Sequence, residues 1–277
     1  MLAVLAAVYH GRRDVRVEDV REPTEPAPGE VLLEVSRAAI CGTDASEWAH
    51  GPRLIRPFGD PVVLGHEFVG RVVRTGDGVE GLAPGERVVS GAGVSCGTCE
   101  WCRAGRTNLC ESYYTLGFHA DGGLAETVLT PASICHPVPD ACHDDAAAIA
   151  QPLAVAIHAL ERAGLVPGDD VCVIGVGGIG AQLVAAAAGL GAHVVAVDVD
   201  ASRLRTASAL GAAETVDAAA EKDAAGAVVE AVGGEGAPIV IEASGSPAGL
   251  ETALGAVRRG GSVVLVGMPA APPASRR

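Results

Sequence analysis

The sequence has 277 residues, of which 49% are hydrophobic and only 3% aromatic, and its formal net charge at pH 7 is −14. This length and hydrophobic content exclude a disordered chain and predict one large or two ordinary domains with cores of Ala, Val, Leu and Ile. The negative charge, with no basic stripe, argues against nucleic acid and an anionic membrane as partners.

The first apolar run, Met1 to Tyr9, has no basic residue before it and is too short to span a bilayer, so it predicts a first β-strand. No other stretch is a transmembrane candidate, and we expect a cytoplasmic protein. Eight cysteines without a signal peptide, and clustered along the chain, indicate metal binding and not a disulfide framework.

Residues 1–150 are predicted to be all-β with irregular loops. Short apolar runs at 31–35, 68–73 and 87–89 are separated by Pro/Gly turns, a pattern typical of a small β-barrel-like domain. The composition shifts near Asp144, and Gln151-Pro152 predicts the start of a helix that ends at Gly164. This helix is the candidate domain junction.

The spacing C-x2-C-x2-C-x7-C predicts a metal site. Four thiolates within fifteen residues can close a tetrahedral, saturated and therefore structural Zn–S4 site. A [4Fe–4S] cluster prefers a last gap of x3 and a following Pro, and four free core cysteines would be poorly placed in a loop rich in Gly and polar residues. The predicted ligands are Cys96, Cys99, Cys102 and Cys110.

A second cluster joins Cys41-Gly42-Thr43-Asp44 to Gly65-His66-Glu67. Cysteine, histidine and carboxylate are good Zn²⁺ ligands, and three protein ligands with an open position form the catalytic arrangement. Taken alone, Cys41 is equally well read as a small buried hydrophobe and His66 as a hydrogen-bonded core histidine.

From Val171 onward, strands and helices alternate. Strands are predicted at 171–176, 193–198, 213–216, 238–242 and 262–267, with helices at 179–190, 201–210, 221–232 and 247–258. The pattern indicates a doubly wound parallel sheet. Five strands can be counted, whereas the usual dinucleotide-binding order, 3-2-1-4-5-6, has six. A Pro/Ala-rich tail is expected over residues 268–277.

A glycine motif, Gly175-x-Gly177-x-x-Gly180, follows the first of these strands and predicts a dinucleotide site, with a merely structural turn as the alternative. Asp198, 18 residues beyond Gly180, would accept hydrogen bonds from the adenosine ribose and repel a 2′-phosphate, which favours NAD over NADP. The next basic residue is Arg203. The predicted cofactor-binding residues are Gly175, Gly177, Gly178, Ile179, Gly180, Asp198, Arg203, Val266 and Gly267.

Five motifs in this order, CGTD, GHEFVG, CGTCEWCRAGRTNLC, QPLAV and GVGGIG, resemble the zinc-dependent medium-chain dehydrogenase/reductase (alcohol dehydrogenase) family over about residues 3–268. Among its members, the polyol (sorbitol), butanediol, threonine and glucose dehydrogenases look most similar. The resemblance implies a GroES-like catalytic domain over 1–150 with a zinc lobe at about 94–112, a Rossmann domain over 151–267, and an active site between them. It also implies hydride transfer from a secondary alcohol, polyol or sugar-like, to NAD, and a dimeric or tetrameric assembly.

The resemblance implies a role for each matching residue. Cys41 and His66 would bind the catalytic zinc, Glu67 would bind it intermittently, and Asp44 would hold the His66 ring. Thr43 would bond to the substrate hydroxyl and pass its proton on. The four cysteines of the zinc lobe would bind the structural zinc.

The chain departs from the family pattern at three places. Gln151 stands where many members have a glutamate ligand, which tilts the expected substrate toward sugars and polyols. Ser46 stands where many members have a proton-relaying histidine. The sequence is also shorter at its C-terminus than the family, so strand 262–267 is expected to be an exposed apolar edge. A catalytically inactive zinc- and nucleotide-binding relative, and a structural relative without turnover, are the alternatives.

Overall fold

The structure, a computed structural model, describes residues 3–55 and 61–268. The chain divides into two compact units, residues 1–151 and 152–277. Within the described residues no helix is both long and apolar enough to cross a membrane. The tail expected at 268–277 lies outside the described residues, apart from Met268.

The first unit is built mainly from strands, with three short α-helices and two single-turn 3-10 helices, Thr107–Leu109 and Ala132–Ile134, among its described residues. In chain order its elements are β1 (Ala3–Gly11), β2 (Asp14–Arg21), β3 (Glu30–Ala39), α1 (Gly42–His50), β4 (Val62–Val63), β5 (Glu67–Thr75), β6 (Arg87–Ser90), β7 (Gly93–Val94), α2 (Glu100–Arg103), β8 (Tyr114–Thr115), β9 (Thr127–Pro131), β10 (Cys135–Pro137) and α3 (Asp144–Ala147). The strands form antiparallel sheets in the orders β2-β1-β4, β10-β6-β5-β3-β9 and β7-β8. The core of the largest sheet holds Leu33 and Phe68, each almost fully buried.

The expectation of an all-β first domain was wrong at α1. Its sequence, GTDASEWAH, lacks the apolar repeat by which an amphipathic helix is recognised. The two side chains that α1 buries are instead Asp44 and Glu47. A helix whose inward face is acidic gives no hydrophobic signal, so the pattern of apolar residues could not reveal it.

The second unit begins within α4 (Ala150–Ala163), the helix expected at Gln151-Pro152. Its elements are β11 (Asp170–Ile174), α5 (Gly178–Gly189), β12 (His193–Asp198), α6 (Ala201–Ala209), β13 (Glu214–Asp217), α7 (Ala224–Ala231), β14 (Ala237–Glu242), α8 (Pro247–Ala256) and β15 (Val257–Leu265). All strand pairs are parallel, in the order β13-β12-β11-β14-β15. This is the expected doubly wound sheet, numbered 3-2-1-4-5.

The two faces of this sheet carry separate cores, as alternation along β11 requires. Val171 and Val173 pack with α4 and α5 on one face, and Cys172 and Ile174 pack with residues of α7 and α8 on the other. The last strand begins at Val257 and not at 262, because a β-bulge lets Val257 pair with Ala237 before the regular ladder starts at Ser262. The glycines at 260–261, which mark this irregularity, obscured the strand in the sequence.

Candidate functional site

Strand pairing brings Cys41, His66 and Glu67 together. β3 and β5 are antiparallel neighbours, and Ala39 at the end of β3 lies opposite Glu67 at the start of β5. Cys41 follows two residues after β3, and His66 directly precedes β5. One ligand atom from each of the three residues can be chosen so that all lie within 4.8 Å of one another. Two segments 25 residues apart in sequence therefore form one cluster of sulfur, nitrogen and oxygen donors.

The first turn of α1 fixes the Cys41 side of the cluster. Cys41 is the N-cap residue of α1, and its backbone N–H donates to Asp44 Oδ2 at 2.9 Å. The Cys41 thiol lies 3.6 Å from Thr43 Oγ1 and donates to it. A carboxylate near a helix N-terminus is also stabilised by the helix dipole. The thiol, the hydroxyl and the carboxylate are thus held by one helical turn.

Asp44 and His66 form a buried pair behind the cluster. Asp44 Oδ1 lies 3.8 Å from His66 Nδ1, and both atoms are buried without a hydrogen-bond partner among the described residues. Burial raises the pKa of Asp44, while nearby His66 partly offsets that rise. A slight approach would let Nδ1–H donate to the carboxylate. That contact leaves Nε2 as the nitrogen available to a metal.

The chemistry of the donor set fits zinc. Burial raises the pKa of the Cys41 thiol and of the Glu67 carboxyl, so the surroundings disfavour their charged forms. A divalent cation would reverse this preference, because metal ligands bind deprotonated. Thiolate, imidazole and carboxylate are the ligand types that zinc takes in proteins. Gln151 lies in the first turn of α4, and its role as a further ligand stays a prediction.

The ring of His66 packs against Phe118, which the sequence analysis did not single out. The two ring centroids are 4.8 Å apart in an edge-to-face arrangement. The preceding residue, Gly65, has φ +99°, and a Cβ there would lie 2.6 Å from the backbone nitrogen of Leu124. Only glycine therefore lets the loop carrying Phe118 approach the His66 strand so closely.

The four cysteines of the predicted zinc lobe also converge. Their sulfur atoms all lie within 4.8 Å of one another, around α2. The backbone N–H groups of Thr98 and Cys99 donate to Cys96 Sγ at 3.4 and 3.3 Å, and that of Cys96 donates to Cys110 Sγ at 3.2 Å. The Thr98 N–H leads the interactions that lower the pKa of Cys96 to about 6. Backbone donors aimed at sulfur favour thiolates, whereas desolvation raises the pKa of Cys102 to about 11. A zinc ion would deprotonate all four cysteines, and four thiolates fit a closed zinc site.

The glycine motif forms the turn between β11 and α5. Gly175 has φ +87°, and a Cβ on Gly180 would lie 1.8 Å from the Gly175 carbonyl oxygen. Gly177, the N-cap of α5, instead has no heavy atom within 4 Å of its ideal Cβ position. Two of the glycines are therefore required by the fold. The third opens onto free space at a helix N-terminus, where a pyrophosphate fits.

Asp198 ends β12 next to this turn and is only 5% exposed. Its Oδ2 accepts the Val176 N–H at 2.6 Å, and its Oδ1 accepts the Asp200 N–H at 2.9 Å. The Arg203 guanidinium lies 3.7 Å from Oδ2. The carboxylate therefore fixes the glycine turn itself, a role that its predicted contact with ribose did not include.

Glu242 is a second acidic strand end that the sequence analysis missed. It terminates β14, is 3% exposed, and accepts the backbone N–H groups of Ser244 and Gly245 at 2.8 and 3.0 Å. Its carbonyl oxygen accepts from the N–H groups of Val266 and Gly267 at 2.8 and 2.9 Å. An acid closing an apolar strand, as in APIVIE, was the available signal, since HVVAVD ends in the same way.

The loop that Glu242 holds packs on the glycine turn. A Cβ on Gly175 would lie 2.6 Å from the Ser244 backbone nitrogen. The ends of β11, β12 and β14, together with Val266 and Gly267, therefore meet at the carboxyl edge of the sheet. Ligands of doubly wound sheets bind at this edge, where the strand order reverses.

Comparison with known proteins places the chain in a family. Residues 27–140 match the alcohol dehydrogenase GroES-like domain, and residues 178–275 match the zinc-binding dehydrogenase family. Sorbitol dehydrogenase of Gallus gallus is 40% identical over 95% of this chain and 75% of its own length. Sorbitol dehydrogenase of Bacillus subtilis is 34% identical over the same shares.

Solved structures agree as well. The 2R,3R-butanediol dehydrogenase from Bacillus subtilis matches 95% of this chain and 77% of its own, with 32% identity and a TM-score of 0.86. A zinc-binding dehydrogenase from Sinorhizobium meliloti bound to NADP matches 100% and 79%, with 34% identity and a TM-score of 0.89. The chain belongs to the zinc-dependent medium-chain dehydrogenase/reductase family, of the alcohol dehydrogenase type. The predicted family, fold class and cofactors, zinc and a nicotinamide dinucleotide, are thereby confirmed.

Proposed function

We propose that the chain oxidises a secondary hydroxyl of a polyol or sugar-like alcohol and transfers the hydride to NAD. The observation that carries this proposal is the cluster of Cys41, His66 and Glu67, whose ligand atoms lie within 4.8 Å of one another. Related proteins named as sorbitol dehydrogenases and D-xylulose reductases support a polyol substrate. When bound, zinc supplies Lewis acidity toward the substrate hydroxyl, and the nicotinamide accepts the hydride.

The residues of the first unit would orient the substrate and handle its proton. Cys41, His66 and Glu67 would hold the metal, with Gln151 as a further ligand. Thr43 Oγ1, which accepts from the Cys41 thiol in the structure, would accept a hydrogen bond from the alcohol once that thiol is deprotonated, and would relay the alcohol's proton by passing its own hydroxyl proton on to solvent. Because Glu67 would bind only intermittently, Cys41, His66 and Gln151 would leave a coordination position open for substrate, as catalytic zinc sites do.

The residues of the second unit would hold the cofactor. The open side of Gly177 and the first N–H groups of α5 would bind the pyrophosphate. Asp198 would disfavour a 2′-phosphate by like-charge repulsion, which supports NAD as the preferred dinucleotide. In the first unit, the four cysteines of the zinc lobe would bind a second, structural zinc.

The test is formation of the reduced dinucleotide by zinc-loaded protein with sorbitol, xylitol, 2,3-butanediol, threonine and glucose, measured as NADH with NAD and as NADPH with NADP. We expect turnover of at least one polyol or sugar with NAD and a lower kcat/KM with NADP. Cys41→Ser should abolish turnover while NADH still binds, measured by its fluorescence. NADH binding without turnover of any alcohol by the wild-type protein would refute the catalytic proposal and leave a nucleotide-binding relative.

A further inference from the structure

Glu47 is a buried carboxylate outside the predicted metal-binding and catalytic residues. It lies on α1 one turn after Asp44, so the two acids share the inward face of the helix. The Glu47 side chain is 1% exposed. A buried charge destabilises the fold unless it is hydrogen-bonded, and the hydrogen-bond partners of Glu47 indicate its role.

Three consecutive backbone N–H groups donate to the Glu47 carboxylate. Arg53 donates to Oε2 at 2.8 Å, Leu54 to Oε1 at 3.1 Å, and Ile55 to Oε2 at 3.3 Å. Successive N–H groups that converge in this way form an anion-binding concavity, filled here by a side chain of the protein itself. The carboxylate thus fixes the segment that leaves α1.

The chain turns over this carboxylate at Gly51. A Cβ at Gly51 would lie 2.6 Å from Glu47 Oε2 and 2.5 Å from the Glu47 carbonyl oxygen. The end of α1 is held from the other side by the β1–β2 hairpin. There the Tyr9 hydroxyl donates to the Glu47 carbonyl at 3.2 Å, and Arg12 Nε donates to the Ala49 carbonyl at 2.9 Å.

A packed path leads from this segment to the proposed zinc ligand His66. Ile55 is 2% exposed and belongs to a buried cluster that also contains Tyr9 and Phe118. The ring of Phe118 contacts the ring of His66 edge to face. Glu47 is therefore connected to the metal cluster by two routes, through α1 itself and through the packing of Ile55 and Phe118.

We propose that Glu47 is a positioning residue for the reaction: by fixing residues 53–55 over the end of α1, it holds Phe118 against His66 and keeps the His66 ring in place at the proposed zinc site. The inference rests on the proposed function. Glutamine cannot replace the carboxylate, because its amide offers one acceptor oxygen and turns an NH₂ group toward N–H donors. Aspartate keeps both acceptors on a side chain one methylene shorter.

The experiment compares the full-length wild-type protein, loaded with zinc, with Glu47→Gln, Glu47→Asp and a control, Thr130→Val. Thr130 is fully buried in the same unit and hydrogen-bonds Ser90 at 3.2 Å, so its replacement by valine also removes a buried hydrogen bond. Amide hydrogen exchange at residues 53–55 tests whether Glu47 holds the backbone of this segment in place. Steady-state kinetics with sorbitol and NAD test its effect on the site.

We expect Glu47→Gln to raise exchange at residues 53–55 and the KM for the alcohol by about tenfold each, the effect of losing one buried hydrogen bond. The KM for NAD should stay unchanged, and Glu47→Asp should recover part of both effects. Thr130→Val should lower the Tm without altering exchange at 53–55 or the KM for the alcohol. If Glu47→Gln does not fold, Glu47→Asp carries the same two readouts.

Wild-type exchange at residues 53–55 in the Glu47 variants would overturn the proposal. The proposal would also be overturned if Thr130→Val, with the same loss of Tm as Glu47→Gln, raised the KM for the alcohol as much as Glu47→Gln does. The rise would then be an effect of general destabilisation. Failure of the proposed function has a different signature, because the wild-type protein itself would not turn over any alcohol. In that case the protein is loaded with cobalt in place of zinc, and the absorption spectrum of the bound cobalt replaces the kinetics as the second readout. An unchanged cobalt spectrum in Glu47→Gln would refute the link to His66.

Discussion

Substitutions in the glycine motif between β11 and α5 test whether this turn binds the dinucleotide or has only a structural role. An alanine at Gly177 meets no heavy atom within 4 Å, and φ −78° suits any residue. The Gly177→Ala protein should therefore fold with a wild-type Tm. Its methyl group occupies the space proposed for the pyrophosphate, so the Kd for NADH should rise by about tenfold or more, or ~1.4 kcal/mol.

Gly180→Ala and Gly189→Ala are the matched controls. A Cβ at Gly180 would lie 1.8 Å from the Gly175 carbonyl oxygen, far inside the 3.0 Å that real contacts respect. Relief of that clash should cost about 1–3 kcal/mol of stability. Gly189, at the far end of α5, has open space around its Cβ position. An alanine there should leave NADH binding unchanged and raise stability by up to ~1 kcal/mol. NADH fluorescence measures the Kd and thermal denaturation measures the stability. A wild-type affinity for NADH in Gly177→Ala would refute the proposal that the pyrophosphate binds at Gly177.

Three further predictions concern the first unit and the start of α4. The wild-type protein should hold about two zinc ions per chain and Cys99→Ser about one, measured by elemental mass spectrometry; a wild-type count near one would mean that a single cluster binds. If Gln151 is a ligand, Gln151→Ala should lose zinc to a chelator faster than the wild type and Gln151→Glu more slowly, whereas equal rates would remove it from the ligand set. Hydrogen bonds from the Ser36 hydroxyl, and then from Arg87, hold the pKa of Asp144 below its usual range. The ionised carboxyl therefore stabilises the fold at pH values above the usual aspartate pKa, and this stabilisation is lost as the pH falls through the lowered pKa. Asp144→Asn should therefore lower the Tm near neutral pH, with the difference from the wild type vanishing in acid; a difference that is constant with pH would contradict this linkage.

Where apolar residues decide the structure, the sequence was sufficient. The strand expected at 193–198 occupies those residues in the structure. The one expected at 171–176 spans Asp170–Ile174 and is fully paired on both sides. Such strands are buried on both faces, so they appear in the sequence as continuous apolar runs bounded by glycine. The cysteine spacing was equally informative, because four sulfur ligands of one zinc must lie close together.

Where polar residues decide the structure, sequence patterns offer little guidance. The approach of Glu47 to residues 53–55 depends on a turn at Gly51 that no periodicity encodes. The contact of Phe118 with His66 joins segments 52 residues apart in sequence, through a loop that fits only because Gly65 has no side chain. Neither interaction follows from a local pattern, since each depends on a tertiary approach of two backbones.

The buried carboxylates of the described residues explain how this chain shapes its sites with so few aromatic side chains. They are Asp44, Glu47, Glu67, Asp198 and Glu242. Four of them accept backbone N–H groups from a nearby turn or loop, and Glu67 belongs to the metal cluster itself. A charged acceptor forms stronger hydrogen bonds than a neutral one, which offsets the cost of its burial. Bulky aromatic residues can position a loop by filling space, but they make up only 3% of this chain. The loops around both proposed sites are instead fixed by acids that capture backbone amides.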